Sequence, residues 1–188
     1  HDCAVLYGNY SSLTRPPYDE LWPAEFAPEK PLELLDAKFA QQFRLEQARA
    51  FVWGQQPTLA NFLPEQLTSR RAELDFVLRI ARLRRCAAKY LQGGVLLRPP
   101  RIAADEMTIP VSRLSIYAGQ QDVVREYSMR VPMVLSSAWQ SADGSVAVAL
   151  ANLADQPVTL QLTLQSPEYP LPQQGVVRPI GESASEVV

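Results

Sequence analysis

Acid–base chemistry in this chain has to come from carboxylates and phenols. The single histidine is residue 1, so a Ser-His-Asp or Cys-His site would have to use a terminal residue, and a metal site with several histidines is ruled out. The two cysteines, Cys3 and Cys86, form no CxxC or other metal spacing. They read as free, buried thiols, with a single disulfide as the alternative. Only 8 glycines are present, in neither a GxGxxG nor a P-loop pattern, which excludes nucleotide-phosphate cradles. Asp2, Asp19, Glu20 and Glu25 fall in the first thirty residues with Tyr7, Tyr10, Tyr18 and Trp22. Carboxylates can transfer protons, and aromatic faces with polar tips suit stacking on sugars. No spacing marks any two of these carboxylates as a pair, and nothing calls for a metal or a cofactor.

The 188 residues suffice for one sizeable domain or two small ones, and 47% hydrophobic with 20% charged residues is the composition of a globular protein. A formal net charge of −2 gives no reason to expect nucleic acid or an anionic membrane as partner. No apolar run approaches the roughly 20 residues of a spanning helix.

Residues 1–31 are punctuated by Pro16, Pro17, Pro23, Pro28 and Pro31, the pattern of a long loop with a helical turn near Asp19–Trp22. Over 32–47, Leu32, Leu35, Phe39 and Phe43 recur at helical spacing. The apolar run Ala50–Trp53, followed by Gly54 and Pro57, reads as a short buried strand; a helix end capped by Gly54 is the competitor. Pro64–Gln92 has the strongest helical pattern, with apolar residues over about two thirds of its circumference, so it must be covered from more than one side. Arg71, Arg79 and Arg82 fall with Lys89 on a narrow polar arc where Asp75 can pair with Arg71 or Arg79, and this face reads as solvated rather than phosphate-binding. Arg84 projects from the apolar arc, so it should be paired with a carboxylate or with carbonyls.

From Val95 onward the pattern is β. Short runs begin at Val95, Glu106, Val123, Ser145 and Pro157, and "GVVRPI" closes the series. Asp143-Gly144 is a hairpin signature, and Val158, Leu160, Leu162 and Leu164 alternate with polar residues. The chain divides into an α/β part, 1–94, and an all-β part, 95–188.

The stretches "AFVWGQQPTLANF", "ELDFVLRIARLRRCAAKYLQGGVLLRPP" and "SSAWQSADGSVAVALANLADQPVTL" resemble the carboxyl-terminal portion of glycoside-hydrolase-like (β/α)8-barrel proteins, in particular a domain-of-unknown-function family of that kind. In such proteins a β-sandwich trails the barrel, and the pattern formed here by Trp139, Asp143, Gly144, Val148 and Asn152 recurs in those sandwiches. The resemblance implies an α+β fold: a partial (β/α) barrel remnant with two main helices, followed by an antiparallel β-sandwich. It makes "HDCAVLYG" the end of a late barrel strand, Ala50–Trp53 the last strand and Pro64–Gln92 the last barrel helix.

A complete barrel takes about 250 residues, whereas about 100 precede the sandwich here. The catalytic carboxylate pair that either glycosidase mechanism needs is therefore expected elsewhere, in a longer parent of which this chain is a carboxyl-terminal fragment or truncated product. The absence of an initiator methionine agrees. The resemblance makes His1, Asp2, Tyr7, Trp22, Trp53 and Gln55 candidate sugar contacts. Five of them have a plainer alternative: a frayed terminus for His1 and Asp2, loop packing for Tyr7 and Trp22, core packing for Trp53. Trp139 reads as core.

The function expected is an accessory one, part of the barrel wall plus a β-sandwich, without catalysis by the chain alone. The alternative is a carbohydrate-binding or protein-interaction module. The partners expected are a carbohydrate and either the missing upstream barrel or a second copy of the chain, which would cover the apolar arc of the long helix. Neither nucleic acid nor a membrane is expected.

Overall fold

The computed structural model describes residues 6–8, 11–13, 34–60, 62–114, 124–164, 169–171 and 175–181. Its first elements are strand β1 (Ser11–Ser12), helix α1 (Ala40–Val52) and strand β2 (Leu59–Ala60). β1 and β2 run parallel, with Ser11 opposite Leu59, and a parallel bridge joins Tyr7 to Gln56. Parallel neighbours need a crossover, and α1 lies within it. Gly8 lets the strand approach this helix: a Cβ there would sit 2.7 Å from Ala50 Cβ.

Ala50–Trp53 is not a strand. Ala50, Phe51 and Val52 form the last turn of α1, and Trp53 is its C-cap. Gly54 follows at φ 68°, the left-handed position that ends a helix with least strain when glycine occupies it. The apolar run misled because α1 packs against α3 as well as β5, β7 and β8, so Ala50, Phe51 and Val52 are all buried and the one charged residue of the last turn, Arg49, falls just before the run. The expected helix over 32–47 begins later, with a 3₁₀ turn at Ala37–Phe39 whose Lys38 N–H is capped by Asp36 at 3.0 Å.

The long helical segment is three pieces, α2 (Gln66–Ser69), α3 (Arg71–Cys86) and α4 (Ala88–Leu91). It breaks at Arg70, whose φ and ψ of −129° and 35° are not helical and whose guanidinium donates to the Leu35 carbonyl. Arg71 and Asp75 pair at 2.9 Å as the spacing predicts. Cys86 is a free thiol and exposed, not buried, because it falls on the solvated arc of α3; Cys3 lies outside the described residues.

The remaining strands are β3 (Val95–Leu97), β4 (Arg101–Ala103), β5 (Glu106–Leu114), β6 (Val124–Pro132), β7 (Val134–Gln140), β8 (Val146–Asn152) and β9 (Gln161–Thr163). They pair antiparallel as a β3-β7-β8 sheet, a β5-β6 hairpin and a β4-β9 ribbon. The fold is α+β, and the described residues form no closed barrel. The stretch "GVVRPI" is not a strand: Val176 and Val177 are 78% and 99% exposed, and among the described residues no strand pairs with it.

The turn at Asp143-Gly144 is as expected. Ser141 N–H donates to Ser145 O at 3.0 Å and Gly144 N–H to Ser141 O at 2.9 Å, with Gly144 at φ 81°, the three-residue hairpin loop that ends in a left-handed glycine. One hydrophobic core joins both halves of the chain. Ala48, Phe51, Val52, Ile80, Leu83 and Leu91 from the helices meet Ile109, Val131, Trp139, Ala151 and Leu153 from the strands.

Candidate functional site

Of the expected sugar contacts, His1, Asp2 and Trp22 lie outside the described residues, as do Tyr10, Tyr18, Asp19, Glu20 and Glu25. Tyr7 and Trp53 are 68% and 54% exposed, and Gln55 is half-buried. The structure gathers these at one end of the parallel pair: Tyr7 bridges Gln56, and Trp53 and Gln55 immediately precede it. This is the amino-terminal end of β2. Trp53 therefore does not stand at the carboxyl end of a strand, where barrel active sites form. Gly8 faces Ala50 of α1, so Tyr7, adjacent in an extended strand, faces away from that helix.

The turn that follows Trp53 is held from beneath. Arg84 is buried, and its Nε and Nη2 donate to the carbonyls of Gln55 at 3.0 Å and Gly54 at 3.2 Å. The sequence expectation of a carbonyl-paired arginine is met, and the geometry explains it. The carbonyl end of α1 carries partial negative charge, which suits a cation. Burial pushes the guanidinium pKa down from its ordinary value, yet not into a range where it would lose its charge. Trp139 also closes on this end: its indole N–H reaches Val52 O at 3.2 Å and Ser137 Oγ at 2.9 Å. Trp139 is 7% exposed, a core residue.

A second polar cluster joins α4 to the β7-β8 turn, and no spacing in the sequence announces it. Ser145 Oγ lies 2.6 Å from Asp143 Oδ1, 2.9 Å from Tyr90 Oη and 3.2 Å from Lys89 Nζ. A serine beside a lysine and a tyrosine could form a nucleophilic site if the lysine were neutral. Here it is not. Lys89 donates to Asp143 Oδ2 at 3.1 Å, and this bond, with a smaller contribution from Tyr90, raises its pKa above the ordinary ammonium value. Asp143, bonded by Ser141, Ser145 and Lys89, is held well below the usual carboxylate range. Neither group can take the Ser145 proton near neutrality, so the cluster is a lock between helix and hairpin.

Asn152 completes the sequence pattern by closing the next turn, accepting from Ala154 N–H at 2.9 Å and donating to Gln156 O at 2.8 Å. Among the described residues no group of three or more His, Cys, Asp or Glu could hold a metal. An open depression of about 370 Å³ lies over the β4-β9 ribbon, lined by Arg101, Ile102, Ala103, Gln161 and Thr163. Sequence reasoning missed it because β4 sits between Pro100 and the next strand and carries no pattern of its own; only the polar alternation of Gln161 and Thr163 was visible. No family model, no curated protein and no solved structure matches the chain.

Proposed function

We propose that the chain is the carboxyl-terminal part of a glycoside-hydrolase-like barrel protein, supplying a wall element and an accessory antiparallel layer, and that it does not turn over substrate alone. The observation that supports this is the parallel pairing of β1 with β2 across α1, followed in sequence by α3. Parallel sheets are found with both faces covered. Leu6 and Tyr7, upstream of β1 at the isolated bridge to Gln56, are 59% and 68% exposed, as residues at the open end of a larger sheet would be. The larger hydrophobic core, shared by helices and strands, fits an accessory layer built to support that wall. Burial of Trp139 favours a structural role for the β7 strand over sugar stacking.

Two measurements test this reading. Incubated with a panel of α- and β-linked chromogenic aryl glycosides, the chain should release no chromophore above blank. Turnover abolished by a single Asp or Glu substitution would overturn the proposal. The reading frame upstream of the His1 codon should continue with alternating strand and helix patterns; a start codon directly upstream would remove the barrel parent.

A further inference from the structure

We propose that the polar face of the β4-β9 ribbon binds a carboxylate-bearing sugar, a uronic acid residue. Arg101 stands opposite Thr163 and Ala103 opposite Gln161. Side chains alternate along a strand, so these four share one face while Ile102 and Leu162 take the other. Together with Ile102 of β4 they line the open depression of about 370 Å³. Among the described residues no hydrogen bond or ion pair engages the Arg101 guanidinium, the Gln161 amide or the Thr163 hydroxyl. On the neighbouring hairpin, by contrast, Arg130 is paired with Glu106.

The free groups define the ligand. A guanidinium presents a planar fork that fits a carboxylate through two parallel hydrogen bonds. The amide of Gln161 can donate and accept, and the Thr163 hydroxyl can do either, which matches ring hydroxyls. Ala103 leaves room for a ring to lie against the ribbon. A neutral sugar would leave the cation unanswered, and a nucleic-acid strand needs several cations along its phosphates rather than one. The site needs nothing from the barrel reading, since both strands belong to the antiparallel part of the chain.

The test is a titration of the full chain, labelled for backbone amide NMR, with a short oligogalacturonate and with a neutral xylo-oligosaccharide of equal length. The uronate should bind with an affinity on the order of millimolar, as an exposed ion pair allows, and shift amides in 101–103 and 161–163. Arg101→Gln should weaken it by about fivefold or more, and Thr163→Val by less, with thermal melts like the parent's. Absence of shifts, binding unchanged in Arg101→Gln, or equal binding of the neutral oligomer would overturn the proposal. Sodium sulfate reproducing the same shifts at equal concentration would overturn it too, by reducing the site to a plain anion contact.

Discussion

The side-chain amide of Gln42 and the backbone of Ser112 exchange two hydrogen bonds: Ser112 N–H donates to Oε1 at 2.8 Å, and Nε2 donates to the Ser112 carbonyl at 3.0 Å. A strand neighbour would make the same pair of bonds. Helix α1 thus covers part of the open edge of β5, a device that keeps an edge strand from pairing with another chain.

Removing that amide should destabilise the chain. Gln42→Ala leaves a partly buried N–H and carbonyl without partners, at an expected cost of about 1–3 kcal/mol for two bonds. Gln42→Glu keeps the acceptor but sets a carboxylate against the Ser112 carbonyl, so it should not rescue. Urea unfolding monitored by circular dichroism should show a lower midpoint at an unchanged slope. A midpoint like the parent's in Gln42→Ala would mean that the edge is held by the rest of α1.

Arg84 is the buried cation on which the end of α1 depends. Arg84→Met keeps the aliphatic stem and removes both donors from the carbonyls of Gly54 and Gln55, for an expected loss of about 2–4 kcal/mol. Arg84→Lys cannot reach both carbonyls with the geometry of a planar fork and should recover only a minor part. Because Trp53 caps the same turn, its fluorescence and quenching by iodide should change with Arg84→Met before global unfolding in a urea series. If both variants unfold with the parent, the two bonds add nothing.

Much of this architecture could be read from residue patterns, for reasons that differ from element to element. The Asp143-Gly144 turn was legible because a positive φ and a hydrogen-bonding carboxylate leave few residue choices. Arg84 stood out as a charge on an apolar arc. Ala50–Trp53 was misassigned because three consecutive buried apolar residues at a helix end and a short buried strand look alike over four residues. The Ser145 cluster and the Arg101 face were invisible for another reason. Each is made by residues more than fifty positions apart, brought together by pairing that no local pattern encodes.

The Asp143 carboxyl sets an acid limit on stability. Its pKa is depressed by hydrogen bonds from Ser141, Ser145 and Lys89, so the folded chain favours the ionised form. The contribution is complete above the unfolded value of about 3.9 and is lost as the pH falls through the folded value. Asp143→Asn removes it at every pH. The difference in unfolding midpoint between parent and variant should be widest between about pH 5 and pH 8 and should narrow below about pH 4. A constant difference from pH 3 to pH 8 would show that the charge of Asp143 does not contribute and that only its hydrogen-bond geometry matters.

Two glycines separate conformational from steric demand. Gly144 is at φ 81° with nothing within 4 Å of a built Cβ, so Gly144→Ala should cost only the left-handed strain, about 1–2 kcal/mol. Gly144→Asn should recover part of that, because asparagine tolerates the same backbone. Gly94 is not left-handed, but a Cβ there would meet the backbone oxygens of Tyr90 and Gln140, the latter at 2.8 Å. Backbone cannot yield as a side chain does, so α4 would have to part from the start of β3 and from β7. Gly94→Ala should therefore exceed the cost of Gly144→Ala by at least about 1 kcal/mol, and Gly94→Asn should be no better. Thermal unfolding of the four variants orders them directly. If Gly94→Ala proves the milder change, the approach of α4 to β7 is looser than these contacts require, and the helix–hairpin lock built on Lys89, Tyr90 and Ser145 would have to hold without it.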